Sequence, residues 1–145
     1  MEYQGLIVNT IGGHYDEYAD QRDAYLQKNR YYYDLVFHHY RTMIPPGKHV
    51  LEIGCGTGTL LAMLRPRHGV GIDCSQRMIE KARTNYPELE FVYTDISTFS
   101  TTVEFDYIVL AGTIGESEDI QTLLNNLHPF CSNHTRIVIE YFNPI

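Results

Sequence analysis

Val50-Leu51-Glu52-Ile53-Gly54-Cys55-Gly56-Thr57-Gly58 decides how the chain is read. Its apolar run, Val50, Leu51 and Ile53, reads as a buried strand that breaks into glycines at alternate positions. Leu60, Leu61 and Leu64 then follow at helical spacing. Strand, glycine turn and helix together bring backbone N–H groups and a helix N-terminus up against a ligand. Glycine suits such a turn because a Cβ would obstruct both a positive φ and close approach of the ligand. The spacing is GxGxG and not the GxGxxG of a dinucleotide fingerprint. A tight turn with no ligand is the plain structural alternative.

Downstream, two short apolar segments end in acids. Residues 69–73 close on Asp73, and an acid at the tip of the second strand of an open parallel sheet accepts hydrogen bonds from ribose hydroxyls. Ser75 caps a helix carrying Met78, Ile79 and Ala82, which ends before Pro87. Met78 reads as a core residue or as a side chain packed on a bound ring. Residues 89–95 form a third strand closed by Asp95, whose structural role would be to cap the turn at 97–99. Residues 105–112 are the fourth strand, apolar at Ile108, Val109 and Leu110 as a central parallel strand should be. Asp106 at its start reads as a turn residue. Ala111 and Gly112 leave its C-terminal end, where small residues let the chain pass a ligand. Glu116, Glu118 and Asp119 open a helix marked by Ile120, Leu123, Leu124 and Leu127, and acids suit its positive end. That spacing makes Glu116 a dipole partner before a catalytic group. Pro129 ends the helix, and residues 135–142 form the fifth strand.

Upstream, residues 1–13 read as a loosely docked leader ending in Gly12 and Gly13. Apolar residues recur at helical spacing over 14–44, as two helices with a break near Asp20, until Pro45-Pro46-Gly47 stops them. Eight of the 12 tyrosines precede Pro45. Packing on the sheet accounts for most of them. Tyr15 and Tyr18 are candidates to lie over a ligand as part of a lid. His38 and His39 are adjacent and so point roughly 100° apart on a helix, which makes them a poor metal pair.

The 145 residues suffice for one domain with a single core. A formal charge of −7 argues against a general nucleic-acid binder, which needs a basic face for phosphates. The three cysteines, Cys55, Cys74 and Cys131, form no CxxC pair. A reducing, cytoplasmic setting is therefore expected. No signal peptide or apolar run of membrane-span length is seen, so no membrane partner is expected.

VLEIGCGTG resembles motif I of the class I S-adenosylmethionine (SAM)-dependent methyltransferases. The strand and helix alternation fits that family's α/β, Rossmann-like open parallel sheet of order 3-2-1-4-5 with helices on both faces. The resemblance implies one SAM-binding domain: leader 1–13, helical lid 14–44 and core 48–145. It implies SAM as methyl donor and S-adenosylhomocysteine as product. Gly54, Cys55, Gly56 and Gly58 would form the turn along the ligand, and Glu52 would orient its amino end. Asp73 would take the ribose, with Cys74 and Met78 beside the adenosine. Asp95 and Ile96 would take the adenine, Ala111 and Gly112 the methionine side, and Tyr15 would belong to the lid. No catalytic base and no metal site is singled out.

The acceptor is expected to be a small molecule. The family's N/D-PP-Y/F/W signature for base amino groups would follow the fourth strand, where this chain reads AGTIGES. The likeness covers residues 15–145, and the stretch NRYYYDLVFHHYRTMIPPGKHVLEIGCGTG resembles bacterial methyltransferase domains joined to glycosyltransferases. The family's complete fold has two further strands beyond the fifth. A fifth strand left at an edge implies either a shortened version of a longer protein or a homodimer that covers the edge. Light scattering tests the latter: a clean monomer over a wide concentration range counts against pairing. A SAM-binding module without turnover is the second functional reading. An NAD-dependent oxidoreductase is the third, disfavoured by the GxGxG spacing, the long helical leader and the second acid, Asp95.

Overall fold

The structure is a computed structural model, which describes the backbone of residues 2–141 and the side chains of residues 13–141. Five strands form one parallel sheet: β1 (His49–Ile53), β2 (His68–Asp73), β3 (Glu90–Tyr93), β4 (Phe105–Ala111) and β5 (Cys131–Glu140). Their order is β3-β2-β1-β4-β5, as expected from the sequence. All four neighbouring pairs are parallel. The chain builds outward from β1 to β3, then crosses back to β4. The crevice between the tips of β1 and β4 is therefore a topological switch point, where open sheets of this kind bind ligands.

Strand alternation sorts the core into two layers. Val50, Tyr107 and Val109 face one side, with Leu61, Ile79, Phe37 and Tyr40 packed against them. These come from α2 (Arg30–Met43), α3 (Thr59–Met63) and α4 (Gln76–Asn85). Leu51, Ile53, Ile108 and Leu110 face the other side and meet Leu123 and Leu127 of α5 (Ile120–Leu127). Leu51, Leu61 and Ile108 are each fully buried. Burial of such a side chain contributes roughly 1.5–3 kcal/mol.

Three boundaries differ from the sequence reading. The leader does not stand apart on the backbone: α1 (Glu2–Lys28) runs through Gly12 and Gly13. A glycine in a helix interior costs only about 1 kcal/mol, which a long helix tolerates. The helical break falls at Asn29, not near Asp20: there the backbone leaves the helical region at φ −105° and ψ 26°. The Asn29 amide and side chain both donate to the Tyr25 carbonyl, at 3.1 and 2.9 Å, the kind of local side-chain bond that suits a helix end. Asp20 instead pairs across to Arg77 and to Lys81, the latter at 3.5 Å. The fifth strand begins at Cys131 rather than at 135, through a register shift opposite Phe105 and Tyr107. Thr135 bridges the irregularity by donating its hydroxyl to the Phe105 carbonyl at 2.6 Å and accepting the Ser132 amide at 2.8 Å. Phe142, the expected end of that strand, lies outside the described residues.

β5 pairs with β4 on one side only, among the described residues. Ile137, Ile139 and Tyr141 are exposed there. No described helix is long and apolar enough to cross a membrane.

Candidate functional site

At the C-terminal ends of the strands, beneath α1, lies a cavity of about 520 Å³. That falls in the roughly 300–1,000 Å³ range of small-molecule sites. Its floor is the glycine turn. Gly54, Gly56 and Gly58 all have positive φ, at 73°, 53° and 83°. Only the first two line the cavity. A Cβ built on Gly56 meets nothing within 4 Å, so the turn presents bare backbone to the space above it. A Cβ on Gly58 would stand 2.6 Å from the Phe91 ring, so that glycine serves packing instead.

Asp73 ties the turn to the next helix. One carboxylate oxygen accepts the Gly56 amide at 2.9 Å, the other the Ser75 amide at 2.8 Å. Burial raises its pKa and those two amides pull it back. Each oxygen keeps acceptor capacity toward the cavity it lines. Cys74 beside it also lines the cavity, its thiol pushed up to about 11 first by burial and then by Asp73. Met78 is both core and cavity wall.

Asp95 caps the turn and also borders the cavity. Its Oδ1 accepts the Ser97 amide at 2.8 Å, as a turn cap does, and the residue lines the cavity beside Ile96. Ala111 and Gly112 line the wall left by β4. Thr113 pins that wall to β1 by donating its hydroxyl to the Ile53 carbonyl at 2.8 Å. Asp106 accepts the His49 amide at 2.8 Å, at the opposite ends of the strands from the cavity.

Three expected site residues lie outside the cavity. Glu52 and Cys55 are buried beneath it, and Gly58 lies beyond the turn. The cause for Glu52 is strand alternation: with Val50 it faces α2 and α3 rather than the strand tips. It is 2% exposed, and one of its oxygens has no partner. Burial pushes it up to about 8, the Leu61 amide pulls it down, Asp73 raises it further and Arg22 lowers it. Burial therefore favours its neutral form. A direct anionic contact from Glu52 to a ligand is not what this placement provides.

The lid side comes from α1, which docks along α4. Asp16 accepts from the Ser75 hydroxyl at 2.5 Å and the Arg77 amide at 3.1 Å. Asp23 accepts from Asn85 at 3.1 Å. This seating puts His14, Tyr15, Tyr18 and Arg22 on the cavity wall. Arg22 was not singled out from the sequence. The available signal was its spacing: it shares one helix face with Tyr15 and Tyr18 at steps of three and four.

Glu116 also changes role. It sits not in the opening turn of α5 but at the end of a separate 3₁₀ turn, Thr113–Glu116. Asp119 caps α5 instead, accepting the Thr122 amide at 3.0 Å. Glu116 thereby faces the cavity and accepts a hydrogen bond from the Tyr15 hydroxyl. Thr94, Thr113 and Ser117, none of them expected, complete the polar wall.

Comparison with known proteins follows the same outline. Residues 50–133, more than half of the chain, match a family model described as a methyltransferase domain. Trans-aconitate 2-methyltransferase of Acidovorax sp. (strain JS42) is 33% identical over 72 residues, which is 47% of this chain and 28% of that protein. (S)-tetrahydroprotoberberine N-methyltransferase of Eschscholzia californica is 25% identical over 117 residues, 71% of this chain and 32% of that one. The chain thus spans about a third or less of the length of these curated relatives. Among solved structures, a DhpI–SAH complex superposes over 92% of this chain and 68% of its own with a TM-score of 0.78, at 17% identity. The N-methyltransferase NodS of Bradyrhizobium japonicum, solved with S-adenosyl-L-homocysteine, is 27% identical with a TM-score of 0.58. That match covers 64% of this chain and 52% of NodS.

Proposed function

The chain belongs to the methyltransferase domain family, and on that premise we propose that the cavity binds SAM and that the protein transfers its methyl group to a small acceptor. The observation that carries the reading is one continuous cavity in which the bare Gly56 backbone lies beside Asp73 and Asp95. A ligand with a sugar flanked by a base and a flexible amino-acid tail fits that sequence of surfaces. Asp73 takes the ribose hydroxyls, and Asp95 with the Ile96 backbone takes the adenine edge. The Gly54 and Gly56 backbone, with Ala111 and Gly112, borders the tail. Arg22 supplies the positive charge for the tail's carboxylate.

When bound, SAM supplies an activated methyl group on a sulfonium. The residues of this chain bind and orient it, and α1 forms one wall of the cavity. Holding donor and acceptor in line at near-attack distance can account for roughly 7–11 kcal/mol of a barrier. Calorimetric titration with SAM, S-adenosylhomocysteine and NAD tests the reading. Binding of the two adenosyl ligands at micromolar levels with none of NAD is expected. NAD binding, or no binding by either adenosyl ligand, overturns it.

A further inference from the structure

The donor reading assigns only the lid residue Tyr15 at one end of the cavity. There α1 meets the 3₁₀ turn after β4, and the lining side chains are His14, Tyr15, Tyr18, Glu116 and Ser117. From the Tyr15–Glu116 hydrogen bond at this end and the aromatic wall beside it, we infer that the methyl acceptor is a small amine, held as its ammonium by Glu116 against the Tyr15 and Tyr18 rings. The inference rests on the proposed donor site and extends it to the substrate class.

Charge carries the argument first. Three carboxylates line the cavity, those of Asp73, Asp95 and Glu116, against one guanidinium, Arg22. Arg22 faces Glu52 and Asp73, and its guanidinium lies 5.7 Å from the Tyr33 ring centroid. Glu116 has no lysine or arginine within ion-pair distance among the described residues. An acidic acceptor would meet the Glu116 carboxylate at this end, where the only basic side chain among the described lining residues is the His14 imidazole, whereas an ammonium pairs with that carboxylate directly. The ring wall adds to it: His14 lies 5.8 Å from Tyr15 and 5.6 Å from Tyr18, centroid to centroid. Ring faces attract cations, so the Tyr15 and Tyr18 rings favour an ammonium beside Glu116.

The geometry also serves the proton. The Tyr15 hydroxyl occupies Oε1 of Glu116 and leaves Oε2 for the acceptor. Burial raises the Glu116 carboxyl and His14 draws it down. A raised carboxylate is a better base for an ammonium than a solvated one. Glu116 takes one proton from the ammonium, which frees the nitrogen lone pair. That pair forms the N–C bond to the methyl carbon as the C–S bond breaks, and the C–S electrons stay on sulfur as a neutral thioether. The product leaves as a methylated ammonium, and the proton on Glu116 passes to solvent.

The test uses protein saturated with S-adenosylhomocysteine and two matched probes, tyramine and 4-hydroxyphenylacetate, which differ in the sign of their charge. Calorimetry is expected to show tyramine binding at least tenfold tighter than 4-hydroxyphenylacetate. E116Q keeps an acceptor for Tyr15 and removes the charge, so it should weaken tyramine at least tenfold while S-adenosylhomocysteine still binds. With SAM, turnover of tyramine, histamine or spermidine is expected, and none of trans-aconitate. Equal binding of the two probes, no tyramine binding, an E116Q variant that binds tyramine as well as the parent, or methylation of trans-aconitate but no amine each overturns the inference. Failure of S-adenosylhomocysteine to bind the parent strikes the donor site itself, and so is distinguishable.

Discussion

Asp73→Ala is expected to weaken S-adenosylhomocysteine binding about a hundredfold or more, which corresponds to roughly 2.7 kcal/mol. The sequence alone supports a loss of about 1–3 kcal/mol for hydrogen bonds to a charged group. The structure moves the expectation to the upper end, because Asp73 does two jobs. It offers acceptor capacity to the cavity, and it also holds the Gly56 amide at 2.9 Å and the Ser75 amide at 2.8 Å. Truncation therefore removes a ligand contact and releases the glycine turn that shapes the floor. The two freed amides cost stability as well, roughly 1–3 kcal/mol for each one that finds no water. Asp73→Asn, which keeps one acceptor oxygen, should fall between parent and alanine. Calorimetry for binding and urea denaturation for stability separate the two effects. If the alanine variant binds as tightly as the parent, the ribose does not lie on Asp73.

The second large effect distinguishes two glycines of the same turn. Gly58→Val should destabilise the fold by about 3 kcal/mol or more. At φ 83° an L-residue is strained by roughly 1–2 kcal/mol. A Cβ there would also stand 2.6 Å from the Phe91 ring and 3.2 Å from Tyr86. Overpacking of that kind adds roughly 1–3 kcal/mol. Gly56→Val carries similar backbone strain at φ 53° but meets nothing within 4 Å. It should keep a cooperative unfolding transition and lose ligand binding, since its side chain enters the cavity. Circular dichroism melts paired with calorimetry check both. A Gly58→Val protein as stable as the parent, or a Gly56→Val protein that binds normally, would show that the turn is built otherwise.

Much of the site was readable residue by residue. Of the expected contacts, Gly54, Gly56, Asp73, Cys74 and Met78 line the cavity, as do Asp95, Ile96, Ala111, Gly112 and Tyr15. All but Met78 and Tyr15 are legible because they sit at the end of a strand or in the turn that follows it, and in a parallel sheet all those ends point one way; Met78 lies in the first turn of α4 and Tyr15 on α1. Glu52 lies beneath the cavity for a physical reason: one residue earlier along a strand is the opposite face. Glu116 was misassigned because a short 3₁₀ turn intervenes before α5, and nothing in GTIGESED separates that turn from the helix.

The sequence by itself determined the order and direction of the strands, the glycine turn, and the two acids at neighbouring strand tips. The turn, the acids and the parallel direction follow from periodicity, glycine placement and the right-handed crossover, while the order of the strands followed from the family resemblance that the glycine turn carries. Tertiary structure alone decided what stands opposite them. Arg22 and Tyr15 reach the cavity only because Asp16, Asp20 and Asp23 clamp α1 onto α4. Glu116 meets Tyr15 across about a hundred residues of chain. No local pattern encodes a contact between distant segments. It arises from the packing of one element against another, and only the folded chain contains that.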